Sequence, residues 1–239
     1  MTQIGNKTIL VSDFHPPPIL LDVVIRLHQC KIGFTEDIAK YLFKQLLEAL
    51  KFIHTMGAAH LDIKHDNIYL DDNCNIVLAD YEFAELVPTD GLITSKRNTK
   101  QYAPPEVLLY NGPYSAYKRD IYSMGATFYS SIAGQFLDRV DSKLNWKNKN
   151  DKLTTELQQL IEQMLSLDPH DRPSADELLE HPWFNLTTHP CASKIQLGIL
   201  EFSEFVEYLR DIQVKELYEW KGLDKDEKID ISQYDSITG

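Results

Sequence analysis

The 239-residue sequence has only three cysteines, Cys30, Cys74 and Cys191, and no two of them stand at C-x-x-C spacing. An odd, scattered set excludes a disulfide framework or a thiolate zinc site as the organiser of the fold, and it points to a reducing, intracellular address. Long apolar runs are missing too: none approaches the roughly 20 residues that a membrane-spanning helix needs. The first thirty residues carry no basic start, apolar stretch and small-residue cleavage site, so no secretory leader is expected. With that address, Asn6-Lys7-Thr8 and Asn185-Leu186-Thr187 are chance matches to the glycosylation triplet. Positive charge is in deficit. Lys and Arg number 24 against 36 Asp and Glu, a net charge of −12 that repels phosphate backbones and argues against a nucleic-acid partner.

What is present suits one globular domain with a short appendage: 43% of residues are hydrophobic, enough for a real core. Ile9, Leu10 and Val11 read as a strand, the only one expected ahead of the helical part, running into the stiff Pro16-Pro17-Pro18 block. A short helix is expected from Ile19 to about Leu27 and a long one from Thr35 to Thr55. In the latter, Ile38, Tyr41, Leu42, Leu46, Ala49, Leu50 and Ile53 recur at helical spacing, Thr35 caps the start and Gly57 ends it. Ile68-Tyr69-Leu70 and Ile76-Val77-Leu78 flank a polar turn cluster, which predicts a small hairpin.

Residues 81 to 119 have weak periodicity and tandem prolines, the pattern of a long irregular segment. Helical patterning resumes at Asp120, where Ile121, Met124, Gly125, Thr127, Phe128 and Ile132 suit a buried helix. Leu153, Leu157, Leu160, Ile161, Met164 and Leu165 suit an amphipathic one, and Ser174 with Glu177 forms a capping box for another. Beyond Phe184 the chain turns acidic. Phe202, Phe205, Val206 and Leu209 recur at helical spacing there, which favours a helix packed back on the domain over a partner-binding one.

The segment from His60 to Asn67 is crowded with Asp62, Lys64, His65, Asp66 and Asn67, yet it lies between an apolar helix and an apolar hairpin. Asn67 follows Asp62 by five residues, and Asp80 follows it by eighteen, just after the second apolar strand. Here the sequence resembles the protein kinase family. Asp62 to Asn67 is similar to the catalytic-loop pattern H-R-D-L-x-x-x-N, and Asp80-Tyr81-Glu82 stands where D-F-G is expected. Thr99 to Glu106 resembles the end of an activation segment, with Pro105-Glu106 at the A-P-E position. Asp120-Ile121-Tyr122-Ser123-Met124-Gly125, Leu167-Asp168-Pro169 with Arg172-Pro173-Ser174, and His181-Pro182-Trp183-Phe184 resemble the later helices of the large lobe. The resemblance runs from residue 9 to about 184.

The resemblance implies a mainly α fold, a protein kinase-like C-lobe that combines a helical bundle with a small β-hairpin, the N-lobe being essentially absent. It implies residual strand and hinge at 1–18, the lobe at 19–184 and an acidic helical tail at 185–239. By the family roles, Asp62 accepts the substrate hydroxyl proton, Lys64 neutralises charge on the transferred phosphoryl, and Asn67 and Asp80 hold magnesium. Lys64 and Thr99 point to the Ser/Thr branch. Glu106 and Arg172 form a buried ion pair, Asp120 bonds the catalytic-loop backbone, and His60 belongs with them as a structural residue. The His60-Leu61-Asp62 form is similar to the calmodulin-dependent and myosin light chain kinase group.

Departures from the pattern shape the functional expectation. Gly5 is the only glycine before Gly33, and Lys7 has no V-A-I-K context, so no residue takes the role of Gly-rich loop, strand Lys or helix Glu. Weak ATP binding, or none, is expected of the chain by itself, hence no cofactor. Glu82 replaces the D-F-G glycine and removes a hinge. Leu61 replaces the Arg that pairs with an activation-loop phosphate, which weakens Thr89, Thr94, Ser95 and Thr99 as switch sites. In the tail, residues 224 to 235 resemble a calcium loop poorly, with Lys228 at a ligand position and Ile229 at the turn glycine, so calcium is not expected.

The leading expectation is a pseudokinase with a scaffolding or structural role whose protein partner covers the surface that faces the missing lobe. The rivals are an active Ser/Thr kinase using Mg-ATP with its N-lobe supplied in trans or absent from these 239 residues, and a decoy that binds kinase substrates. A cytoplasmic address is expected, and cytoskeletal association stays open.

Overall fold

The structure, a computed structural model, describes residues 2–4, 7–9, 19–29, 36–71, 75–137, 139–140, 143–146 and 153–185. Two short strands, β1 (Thr2–Ile4) and β2 (Lys7–Ile9), pair antiparallel ahead of helix α1 (Leu20–Gln29) and the long helix α2 (Glu36–Thr55). Strand β3 (Ala58–Ala59) follows, then a single 3-10 turn at His65–Asn67 and the hairpin β4 (Ile68–Leu70) and β5 (Ile76–Leu78). Its register pairs Ile68 with Leu78 and Leu70 with Ile76, and Ile19 bridges to Tyr69 at the edge. Strands β6 (Glu85–Leu86) and β7 (Leu92–Ile93), helix α3 (Pro105–Leu109) and strand β8 (Tyr114–Ser115) lead into helix α4 (Ala116–Ala133). Strands β9 (Arg139–Val140) and β10 (Lys143–Leu144) and helices α5 (Thr155–Met164), α6 (Ala175–Leu179) and α7 (Pro182–Asn185) complete the described chain.

Helix α4 is the axis. Apart from Tyr117 and Lys118 all its residues are buried, so it has no solvent face and its polar side chains must be satisfied inside. Thr127, Ser130 and Ser131 donate to carbonyls one turn back, and Ser123 donates to the Tyr102 carbonyl at 3.0 Å. The helix is closed at both ends by local chemistry. The Ser115 hydroxyl accepts from the Lys118 N–H, and Gly134 sits in the left-handed region at φ 66 with its N–H bonded to the Ser130 carbonyl.

Around α4 the apolar face of α2 (Ala39, Leu42, Phe43, Leu46, Leu47, Leu50) and that of α5 (Leu157, Leu160, Ile161, Met164) form one core. Phe43 stacks on Phe128 at 3.8 Å between ring centroids, and Trp183 meets Phe128 edge-on at 5.6 Å. The Trp183 indole N–H donates to Glu36 at 3.1 Å, which pins α7 to the start of α2. Among the described residues no helix is long and apolar enough to cross a membrane.

The helices expected within the described residues and the hairpin of 68–78 are present, and the capping box of Ser174 and Glu177 is formed. Three expectations need correction. Two strands precede the helices instead of one, with Thr2 paired to Ile9 and Ile4 to Lys7, and of the expected run Ile9 to Val11 only Ile9 lies among the described residues. Residues 81–119 hold three short strands and α3. The strands β6 and β7 pair with β3 and β8 across long sequence separations, and two-residue strands are too short to show a period. Helix α4 starts at Ala116, not Asp120, because Ser115 caps it. The cap at Thr35 and the tail helix at Phe202–Leu209, like the calcium-like loop, lie outside the described residues.

Gly125 of α4 lies close against the end of α5. A Cβ there would sit 2.9 Å from the Met164 Cβ and 3.2 Å from the Leu165 Cγ, and a Cβ cannot swing aside. Gly125→Ala should therefore lower unfolding stability by about 1–3 kcal/mol, the usual cost of overpacking, despite the better helix propensity of alanine. Denaturant titration at constant m-value measures it.

Candidate active site

Three segments converge at one end of the core: the loop His60–Asn67 between β3 and β4, the residues after β5, and the stretch before α3. The loop is fixed from below by Asp120 of α4, which is fully buried. Its Oδ2 accepts from the His60 N–H at 2.8 Å and its Oδ1 from the Leu61 N–H at 2.8 Å, while His54 of α2 lies 3.0 Å from Oδ2. Two backbone donors that have no strand partner are thereby satisfied by one carboxylate.

With that anchor, Leu61 takes a φ of 65 and turns the chain so that Asp62 faces the segment before α3. Leu61 itself is buried in a second apolar cluster with Ala59, Ile93, Tyr114 and Ala116. The other positive-φ residue that is not glycine, among the described residues, is Asp80 at φ 60. Each such backbone costs on the order of 1–3 kcal/mol and persists where neighbours enforce it.

Asp62 is the centre of a polar cluster. Its Oδ1 accepts from the Thr99 hydroxyl at 2.6 Å, and its Oδ2 accepts from Lys64 Nζ at 2.6 Å and Asn67 Nδ2 at 3.1 Å. Lys64 also reaches Thr99 Oγ1 at 3.4 Å, and Asn67 Nδ2 bonds the Asp62 carbonyl at 2.8 Å. Burial pushes the Asp62 carboxyl up, but the bonds from Lys64 and Thr99, the Lys64 charge and the Asn67 amide together hold it below the ordinary carboxylate range. The result is a carboxylate held on both oxygens, with the Thr99 hydroxyl on one and the Lys64 ammonium and Asn67 amide on the other.

His60 ties the cluster to Asp80. Its Nδ1 accepts from the Asp62 N–H at 3.3 Å, so the proton is on Nε2, which donates to the Ala79 carbonyl at 3.0 Å. The Ala79 N–H in turn donates to the Asn67 carbonyl at 2.9 Å, extending the hairpin by one rung. Asn67 and Asp80 are thus held at the same end of β4 and β5. Asp80 is exposed, and its Oδ1 accepts weakly from the Glu82 N–H at 3.4 Å.

An amide oxygen and an exposed carboxylate are the donor chemistry that a hard cation would take, with waters and phosphate oxygens as its remaining ligands. Among the described residues no group of three His, Cys, Asp or Glu could hold a metal without such help. Glu82 has no positive φ, so its backbone does not require the glycine that the family pattern places there.

Glu106 and Arg172 meet away from this cluster. The pair is bidentate, with Nη1 to Oε1 at 2.6 Å and Nη2 to Oε2 at 2.9 Å, and Arg172 also bonds the Ser166 and Lys118 carbonyls. Its guanidinium lies 4.7 Å from the Tyr122 ring centroid. Removing one partner of such a pair costs about 3–5 kcal/mol, and here it would free α3 from the loop before α6.

Sequence reasoning missed three contributors to the site. His65, given no role by the sequence pattern, is buried between the Tyr102 hydroxyl and Ser131 Oγ, each at 2.9 Å. Arg119 and Tyr102 were not singled out at all. A charged residue inside the apolar pattern of α4 was the available signal for Arg119. Nothing local marked the others, because each acts through a partner more than thirty residues away.

Burial lowers the His65 pKa to about 4, outweighing a bond to the Thr127 carbonyl that raises it. The folded state binds the proton more weakly than the unfolded chain, so stability rises with pH from about 4 to 6.5 and falls on acidification through that window. Between pH 7 and pH 5 the wild type should lose about 2 kcal/mol that His65→Gln does not lose. Urea titrations of both proteins at the two pH values check this.

Residues 5–184 match the protein kinase domain family. Among curated proteins, the chain is 30% identical to maternal embryonic leucine zipper kinase of Xenopus tropicalis over 236 residues, 90% of this chain and 35% of that protein. It is 32% identical to CBL-interacting serine/threonine-protein kinase 5 of Arabidopsis thaliana, over 70% of this chain and 40% of that one. It is 33% identical to serine/threonine-protein kinase pim-2 of Danio rerio, over 62% and 48%. The chain spans less than half the length of each of these relatives. With the catalytic-loop cluster in place and the match extending over most of its length, the chain belongs to the protein kinase domain family, among relatives that are Ser/Thr kinases.

Proposed function

We propose that this chain works as the substrate-receiving lobe of a Ser/Thr-type kinase domain and binds a protein segment across its catalytic loop without transferring phosphate by itself: a pseudokinase with a scaffolding role. One contrast supports the reading. The acceptor side, made of Asp62, Lys64, Asn67 and Thr99, is assembled to within hydrogen-bond distance. The donor side offers only Asp80 and Asn67, since none of the 239 residues matches the Gly-rich loop or the strand Lys and helix Glu that grip nucleotide phosphates. The partner is a protein segment that covers the face turned toward the small lobe, and the address is intracellular.

A second reading is favoured by the ionised state of Asp62. A carboxylate kept charged beside Lys64 is what a phosphoryl transfer to a hydroxyl uses, with Asp62 receiving the proton and Lys64 facing the charge on the transferred group. Asn67 and Asp80 would hold magnesium, which would supply the charge that neutralises the phosphates. On this reading the small lobe comes from another chain or from a segment outside these residues.

Thermal unfolding with and without millimolar Mg-ATP separates the two. The scaffold reading expects a shift below about 1 °C for the chain and for Asp80→Asn alike. Ligand at a hundred times its dissociation constant adds about 2.7 kcal/mol, a rise of roughly 5–10 °C at this size. A rise of that order, abolished by Asp80→Asn, would overturn the scaffold reading in favour of a conditionally active kinase.

A further inference from the structure

Arg119 is 1% exposed, and no carboxylate lies within ion-pair distance of it among the described residues. A buried guanidinium without a counter-charge is costly, so the groups it does reach carry the reason for its place. Nη1 donates to the Tyr114 hydroxyl at 2.6 Å. Nη2 donates to the Leu61 carbonyl at 2.5 Å and to the Arg97 carbonyl at 2.6 Å. The Tyr114 hydroxyl passes the contact on to the Ser95 carbonyl at 2.5 Å, and the guanidinium lies 5.7 Å from the Tyr114 ring centroid. Nε has no acceptor, the one buried side-chain donor without a partner among the described residues.

The three acceptors belong to three segments. Leu61 precedes Asp62 in the catalytic loop, Arg97 and Ser95 precede Thr99, and Tyr114 lies in β8, which pairs with Leu92 and Ile93. A single cation on the rigid α4 therefore holds both sides of the Asp62–Thr99 hydrogen bond. Leu61 occupies the position from which, by the family pattern, an arginine reaches a phosphate on this same segment, and its apolar burial leaves it no such contact. Arg119 reaches the segment from α4, and its acceptors are backbone carbonyls and a phenol, which are present whether or not the segment is modified.

We propose that Arg119 is a positioning residue that latches residues 93–99 onto the catalytic loop, so that the Asp62–Thr99 site is ordered without phosphorylation. The importance of that order rests on reading 81–106 as the segment that receives a substrate. The order itself is read without nucleotide or turnover, so this inference can fail while the functional proposal stands, and the reverse.

Hydrogen–deuterium exchange of the full chain tests it. In Arg119→Met, amides of residues 93–99 should exchange at least tenfold faster while those of α5 and α6 keep their protection, and Arg119→Lys, whose single ammonium lacks the planar fork that spans the two carbonyls and the Tyr114 hydroxyl together, should recover only part of the effect. If Arg119→Met does not fold, Tyr114→Phe removes the arm that runs from Nη1 through the phenol to Ser95, leaves the Leu61 and Arg97 carbonyl bonds in place, and should speed exchange near Ser95 severalfold. Phosphatase treatment of the wild type should change nothing. The proposal is overturned if exchange in 93–99 is unaltered in both substitutions, if it rises evenly across the chain, or if phosphatase treatment alone releases the segment.

Discussion

Asp120 is the fixed point from which the rest of the site is built. It stands in a helix that is covered on all sides, and both of its oxygens are spent on the backbone of the loop above. A carboxylate in that position cannot be left unpaired, and two peptide N–H groups at a sharp bend cannot be left dry. Each need satisfies the other, and the shared solution fixes where Leu61 turns and hence where Asp62 points. The left-handed backbone at Leu61 is held by this anchor on one side and by its apolar pocket on the other. The chemistry at Asp62 therefore depends on the packing of α4, and α4 depends in turn on α2 and α5 closing around it.

From that anchor, polar contacts radiate to the segments at the edge of the apolar clusters. His60 bonds the residue before Asp80, His65 bonds the segment before α3 through Tyr102, and Arg119 bonds Arg97 and, through Tyr114, Ser95. Glu106 and Arg172 do the same for α3. Each of these groups is buried and hydrogen-bonded, so the arrangement is specific in a way that apolar packing alone is not: a shift of one segment would strand several donors at once. Around the acceptor site the molecule is held by directional bonds, and at the far end by the rings of Phe43, Phe128 and Trp183.

How much of this was legible in the sequence follows from the range over which each signal acts. The helix of residues 36–55 and the hairpin of 68–78 declare themselves by periods that repeat within a few residues. Asp62, Lys64, Asn67, Thr99, Glu106, Arg172 and Asp120 were legible because their spacing resembles a known family, and geometry joins the first four in one cluster. The short strands of 81–119 were not legible, since two residues carry no period and their partners lie far off in the chain. His65 was hidden for the same reason, since its partners Tyr102 and Ser131 lie far along the chain, whereas Arg119 carried a signal in its charge inside the apolar pattern of α4.

The account turns on Asp62 being ionised and held by its neighbours in the chain alone, and carboxyl-detected NMR titration of that residue addresses this directly. The account predicts that Asp62 titrates below the ordinary carboxylate value of 3.8 in the wild type and that Lys64→Met moves it upward. Titration at or above the ordinary value in the wild type, unchanged by Lys64→Met, would contradict an assembled acceptor site.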